Sequence, residues 1–362
     1  TRTTQLGQVT TGLEYDTQGN QISVTEPENH ATRYLYDDLG NRIRQDSPDS
    51  GITSFTYNEA GQVVSQTDAR GQGSRLTYDS AGRLRMIDRP GSDYDVTYEF
   101  DECMNGAARL CAITTGWGHT IQYTWNALGE LASITTNEGR VGYTWGPNNS
   151  LTSVEYPSGR KVFFELDGGG LPKRVRLQSG TATESILVDD IRYSPLGKPV
   201  AWRFANGQHT RVELDARHRP LSIDVAGLWT WQAMAYDAGD NILSLDNGFD
   251  SYRFEYDALG RLTAAASSTW NIGYDYDRVG NRSSRTKNAV VETGSYEAGS
   301  NRLLVFGERQ YQLDQSGNTT DMLFNQVPTA TYSYSSHNRL VEVIDASSQS
   351  GLATYHYDAL GP

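Results

Sequence analysis

No long hydrophobic run exists in this sequence. Nowhere do 18 apolar residues follow one another, so no segment reads as a membrane-spanning helix. Cysteine is almost missing: Cys103 and Cys111 are the two in 362 residues, too few for a disulfide-dense secreted scaffold. They lie eight positions apart and could close a small loop, but the expectation adopted is two reduced, partly buried thiols. A basic excess is also lacking. The net charge is −13, and the arginines are spread almost one per repeat, as in Gly40-Asn41-Arg42 and Gly280-Asn281-Arg282. A nucleic-acid face needs clustered Lys and Arg, so that class is set aside. Methionine (4) and proline (11) are sparse. The first residues, Thr1-Arg2-Thr3-Thr4-Gln5, contain no apolar signal region.

What is abundant is tyrosine (22), glycine (36) and tryptophan (7). Aromatic and β-branched side chains suit a pleated, half-buried surface, while glycine supplies turns, so the balance points to β-structure. Self-comparison resolves it into repeats, which overrides any domain count taken from length. Tyr15-Asp16-Thr17-Gln18-Gly19-Asn20 is followed by Tyr36-Asp37-Asp38-Leu39-Gly40-Asn41, then by the motifs at Tyr57 and at Tyr78-Asp79-Ser80-Ala81-Gly82. Each tyrosine falls 21 residues after the last. The register continues through Phe100, Trp125, Trp145, Leu166, Tyr193, Leu214 and Tyr236. It returns to its strict form at Tyr256-Asp257-Ala258-Leu259-Gly260 and Tyr276-Asp277-Arg278-Val279-Gly280. About 17 units fill the chain from 1 to 362 as a single array, with no gap for an inserted domain. The stretch from about 100 to 235 is the most degenerate. The sequence starts inside one unit and ends inside another, so the expectation is a piece of a longer protein.

Each unit carries hairpin chemistry. Residues before the motif alternate in type, as in Thr32-Arg33-Tyr34-Leu35-Tyr36, which is the period of a strand. Asp at the first turn position accepts from the amide two residues on, and Gly three later takes the left-handed conformation that closes a bulged hairpin. The residues assigned this structural role are Tyr15, Asp16, Gly19, Tyr36, Asp37, Gly40, Tyr78, Asp79, Gly82, Tyr256, Asp257, Gly260, Tyr276, Asp277 and Gly280. A second turn, such as Asp46-Ser47-Pro48-Asp49-Ser50-Gly51, leads into the next unit. A lone hairpin is marginal in water, so each unit must extend its neighbour's sheet. The expected fold is all-β: one continuous antiparallel ribbon that spirals because sheets twist. Its aromatics are expected to stack into a ladder along one face.

At these motifs the sequence resembles the YD repeats of Rhs proteins, which are related to repeats in Tc-toxin shell subunits, wall-associated bacterial proteins and teneurins. The resemblance covers essentially the whole chain. It implies a β-spiral around a large cavity that, in the bacterial toxin members, holds a C-terminal toxic polypeptide. It also implies that the protein is secreted or delivered by a bacterial secretion system, or else stands at a cell surface. Relatives often carry an aspartyl self-cleaving segment, Asp-Pro-x-Gly, after the repeats. This sequence stops at Leu360-Gly361-Pro362, so that catalysis is expected to lie outside these residues.

The remaining residues offer little chemistry. The six histidines form no His-x-x-x-His pair, and a Cys103/Cys111/His119 metal site matches no common zinc spacing. The motif carboxylates are explained by turns, not by glycoside hydrolysis. The glycine strings lack the Lys-Ser/Thr of a phosphate loop. The expectation is therefore no enzyme, no cofactor and no metal. The partners are a protein cargo and further shell segments or copies. The alternative is an adhesion array in which tryptophans of the degenerate middle, such as Trp117 and Trp202, stack on glycans.

Overall fold

The computed structural model describes residues 2–6, 9–226 and 228–358. Among these, 34 strands follow one another, each hydrogen-bonded antiparallel to the strand before and the strand after. Two short 3-10 turns, Ser92–Tyr94 and Pro147–Asn149, are the helical exceptions. The result is one unclosed sheet, as the turn chemistry implied.

The hairpin turn is built by its own residues. In the unit of Ala31–Tyr36 and Arg42–Ser47, the Gly40 amide donates to the Asp37 carbonyl (3.0 Å) and the Asp37 amide to the Asn41 carbonyl (2.9 Å). Gly40 has φ +81°, the left-handed value such a loop needs. The strand register shifts between Leu35 and Tyr36, which is the bulge, and it shifts at the matching place before Tyr15, Tyr57, Tyr78, Tyr256 and Tyr276.

Side chains alternate along the strands. In Ser251–Tyr256, Tyr252, Phe254 and Tyr256 are half-buried, while Ser251, Arg253 and Glu255 are exposed. Little is buried fully; Ile113 and Ile121 belong to the small set of deeply buried apolar residues. The accessible surface, 21392 Å², is well above the roughly 14,000 Å² expected of a compact globule of 40.1 kDa. That excess is the signature of a wall one layer thick.

The ribbon also coils. Residues 26–117 touch residues 278–357 across sequence separations of 240 to 275. One winding therefore takes about 250 residues, and the last third of the chain lies against the first third.

Two sequence expectations are corrected. Cys103 and Cys111 are not free thiols but form a disulfide with Cα atoms 5.5 Å apart. The motif turn there is enlarged to residues 101–109, closed by the Asp101 amide on the Arg109 carbonyl (3.1 Å), and the longer loop brings the two cysteines within reach. The ring-on-ring ladder is also absent: among the described residues, motif aromatics of successive units do not stack. Successive motifs are two strands, about 9.5 Å, apart, beyond the reach of stacked rings.

Candidate functional site: the motif turns and the seam between windings

Every motif aspartate named from the sequence sits at the start of a turn and accepts at least two backbone N–H groups. Asp16 Oδ1 takes those of Gln18 and Asn20, Asp37 those of Leu39 and Asn41, and Asp79 those of Ala81 and Arg83. Asp257 and Asp277 repeat the pattern with Leu259 and Arg261, and with Val279 and Asn281. The second oxygen receives the side chain after the glycine: the Asn41 amide on Asp37, the Arg83 guanidinium on Asp79, the Arg261 guanidinium on Asp257. The glycines Gly19, Gly82, Gly260 and Gly280 all have positive φ.

These bonds hold the carboxyls of Asp16, Asp37, Asp79 and Asp257 low. Asp37 is shifted down chiefly by the Asn41 side chain, and Asp79 by the Arg83 backbone amide and then its guanidinium. Every described carboxyl with a displaced pKa moves downward. That is the direction of an acceptor fixed by donors, and opposite to what a general acid needs.

The motif aromatic binds each unit to the one before. Tyr36 donates its hydroxyl to the Gln21 carbonyl (2.9 Å), Tyr78 to Val63 (2.8 Å), Tyr256 to Ile242 (3.0 Å) and Tyr276 to Leu262 (2.8 Å). Where tryptophan replaces tyrosine the bond survives: Trp125 Nε1 donates to Leu110 (3.1 Å) and Trp145 Nε1 to Leu131 (2.7 Å). Tyr15, 40% exposed, begins the series. In place of stacked rings, the residue after the left-handed turn position (Gly82, His218, Gly260 or Asn338) reaches forward. Arg83 lies over Phe100, Arg219 over Tyr236, Arg261 over Tyr276 and Arg339 over Tyr357. The ladder alternates cation and ring.

The seam joins opposite edges of the ribbon. Second turns of the first winding meet motif turns of the last. The Arg278 amide donates to Glu28 (3.2 Å); the Asn301 amide and side chain donate to Asp49 (2.6 and 3.0 Å), and the side chain also to Glu26 (2.7 Å). Arg302 Nε donates to the Asp49 carbonyl (2.7 Å), Asn338 to Asp68 (3.3 Å) and Arg70 to the Ser335 carbonyl (3.0 Å). Tyr94 meets His337 edge-on, and Trp117 Nε1 donates to the Tyr357 carbonyl (3.3 Å). Among the described residues no backbone-to-backbone hydrogen bond crosses the seam. It is a joint of side chains between two sheet regions that are each bonded along their own strands.

Sequence reading missed the seam entirely. Its acceptors Glu26, Asp49 and Asp68 look like any other turn residue, and partners 250 residues away leave no local mark. The tryptophans do not form an exposed row: Trp125 and Trp145 fill motif slots, Trp202 packs on Phe204, Trp270 on Tyr252, and Trp117 lies between His119 and His356. The Trp229 side chain lies outside the described residues. The two sulfurs of the suggested Cys103/Cys111/His119 site are bonded to each other, and His119 faces Glu138 at 3.4 Å.

Comparison with known proteins points one way. Residues 229–362 match the family model of the teneurin YD-shell, and residues 15–52 and 57–93 match the RHS repeat. Toxin protein Tse5 of Pseudomonas aeruginosa is 24% identical over 314 residues, 76% of this chain and 22% of that protein. Double-stranded DNA deaminase toxin A of Burkholderia cenocepacia is 28% identical over 259 residues, 67% of this chain and 17% of its own length. The chain thus spans about a fifth of the relatives it matches. The Photorhabdus luminescens Tc holotoxin pore shares the fold with a TM-score of 0.81 at 15% identity, over 97% of this chain and 21% of that one. TcdB2-TccC3 gives 0.80 at 15%, over 93% and 21%. Repeat segments, toxin relatives and shared shell fold together place this chain in the Rhs/YD-repeat family.

Proposed function

We propose that the chain is a single array of Tyr-Asp hairpins forming part of the wall of a β-cage, which encloses a toxic polypeptide belonging to the same protein until delivery. The observation that carries this reading is the seam. A one-layer ribbon whose second winding is tied to its first has the construction of a continuous wall. The named motif residues serve as turn and strut, and the chain itself is not an enzyme. Delivery by secretion from a bacterium follows from the same reading, as do further shell segments against the unpaired edges. There the turn residues Leu39, Leu128 and Leu196 are 81%, 84% and 66% exposed, whereas Val279, in a motif turn at the seam, is half-buried.

The test is protease protection in the full-length protein. A polypeptide encoded beyond residue 362 should resist added protease in the native protein. It should become cleavable when the seam is weakened by Asn301→Ala together with Gly317→Val. Equal cleavage of that polypeptide in both proteins would overturn the reading.

A further inference from the structure

The seam contains a cavity that nothing in the shell's architecture requires. It lies where the loop between Leu84–Asp88 and Val96–Phe100 meets the motif turn 335–339, with Arg89, Tyr94, Trp117, His337 and Arg339 among its lining, and its volume is about 60 Å³. A water needs about 10–15 Å³ on that measure, so the space suits about four or five heavy atoms.

The two arginines on its wall, Arg89 and Arg339, are not matched by ion pairs among the described residues. Arg70, Arg89 and Arg339 all bear on His337. Arg70 is neutralised by Asp68 (3.1 Å) and Asp314 (3.8 Å). Among the described residues no carboxylate forms an ion pair with Arg89 or Arg339. Arg89 gives Nη1 to the Tyr94 carbonyl (2.6 Å), while its buried Nε finds no acceptor. Arg339 lies over the Tyr357 ring and gives Nη1 to the Asp358 carbonyl (3.5 Å). Three acids share the wall without pairing with either arginine. Asp95 is taken by the Arg89 backbone amide (2.8 Å), and its pull on the Arg89 guanidinium is weaker than the push from Arg339. Asp93 and Asp358 line the cavity as well. A half-buried cation pair with an unsatisfied donor is costly unless an anion joins it.

We propose that this cavity binds a small oxyanion of the phosphate or carboxylate class, held between the Arg89 and Arg339 guanidinium groups. Such an ion bridges the first winding, through Arg89, to the last, through Arg339. It makes the strength of the seam depend on a ligand. The inference does not depend on what the shell encloses.

The experiment is thermal unfolding of the 362-residue chain in chloride, phosphate and acetate at matched ionic strength, with direct calorimetric titration of phosphate. A saturable rise in melting temperature with phosphate, acetate or both is expected; which ion acts distinguishes the two sources. Arg89→Gln and Arg339→Gln should each abolish the rise, and Arg192→Gln, exposed and far from the seam, should keep it. In chloride alone each variant should lose only the small stability of its own contacts, Arg89 with the Tyr94 carbonyl and Arg339 with the Tyr357 ring; a purely structural arginine would leave the phosphate rise intact in its variant. If a variant fails to fold, line broadening of the phosphate 31P signal by the parent decides. Equal melting temperatures of the parent in the three salts, or an equal rise in the parent and both seam variants, would overturn the site.

Discussion

A motif tyrosine is gripped along its length: its backbone forms the bulge, its ring lies under the arginine of the previous unit where there is one, and its hydroxyl ends on a carbonyl one unit back. The Tyr256 hydroxyl, bonded to Ile242 at 3.0 Å, is therefore a strut between units. Burial raises its pKa, so it stays a neutral donor at physiological pH. Tyr256→Phe should cost about 0.5–1.5 kcal/mol, the worth of one hydrogen bond, in urea melts. No change in midpoint would mean that the strut contributes nothing. The turn glycine answers a different demand. At Gly40 and Gly260, with φ +81° and +75°, a β-branched side chain is strained, and valine at either should destabilise by about 1–2 kcal/mol. Gly168, whose φ is not positive and whose added Cβ would meet nothing within 4 Å, is the control, and Gly168→Ala should melt with the parent. If the valine variants also melted with the parent, the positive-φ turn would carry no weight in stability.

A hairpin unit is legible in sequence because its instructions are local. Asp, Gly and the residue after Gly lie within five positions of one another and contact one another, so spacing alone reveals the turn. The Trp125 and Trp145 substitutions could be placed in the tyrosine slot by register, and the structure adds the reason they are accepted: an indole N–H reaches the same carbonyl position as a phenol. Interaction partners one unit away were harder to read. The tyrosine ladder was expected as stacked rings because rings repeat, but two strands separate them and arginine fills the gap. The disulfide was missed because two cysteines have no pattern; only the enlarged 101–109 turn explains their meeting. That staple closes a loop over a sequence separation of 8, for which chain entropy gives about 2–3 kcal/mol of stabilisation. Replacing Cys103 and Cys111 together by serine should lower the stability of this hairpin by up to that amount. Hydrogen exchange should show faster opening in Leu110–Thr115 and in the neighbouring strand Thr120–Trp125, while Ser251–Tyr256 is unchanged. Equal exchange in both forms would show that the staple is idle.

At the scale of the whole molecule, stability along the ribbon and stability across the seam are different quantities. Along the ribbon, backbone ladders join every strand to the next. Across the seam there are only turn side chains, kept close by small residues: a Cβ on Gly317 would stand 2.5 Å from the Asp49 carbonyl oxygen. The seam should therefore open before the ribbon melts, and acid should open it selectively. His337 lies in that joint with Ser335 Oγ 3.1 Å from its Nδ1 and Tyr94 against its ring. Around it stand Arg70, Arg89 and Arg339, with Asp93, Asp95, His356 and Asp358 on the adjoining cavity wall and Asp68 on the side of Arg70. Burial first, and then those three arginines, pull its pKa down to about 4 from an ordinary value of 6.5. The unfolded or opened form thus binds a proton that the closed form refuses. Above pH 6.5 both forms are neutral and the closed seam keeps its full stability. Between 6.5 and about 4 the opened form gains a proton and the seam weakens steadily; below about 4 both are protonated and this contribution is spent. Small-angle scattering from pH 7.5 to 4.5 should show the radius of gyration rising while far-ultraviolet circular dichroism holds constant. His337→Asn, which cannot take the proton, should flatten the rise. A radius that stays constant over that range, or rises equally in the variant, would remove His337 from the seam's response to acid.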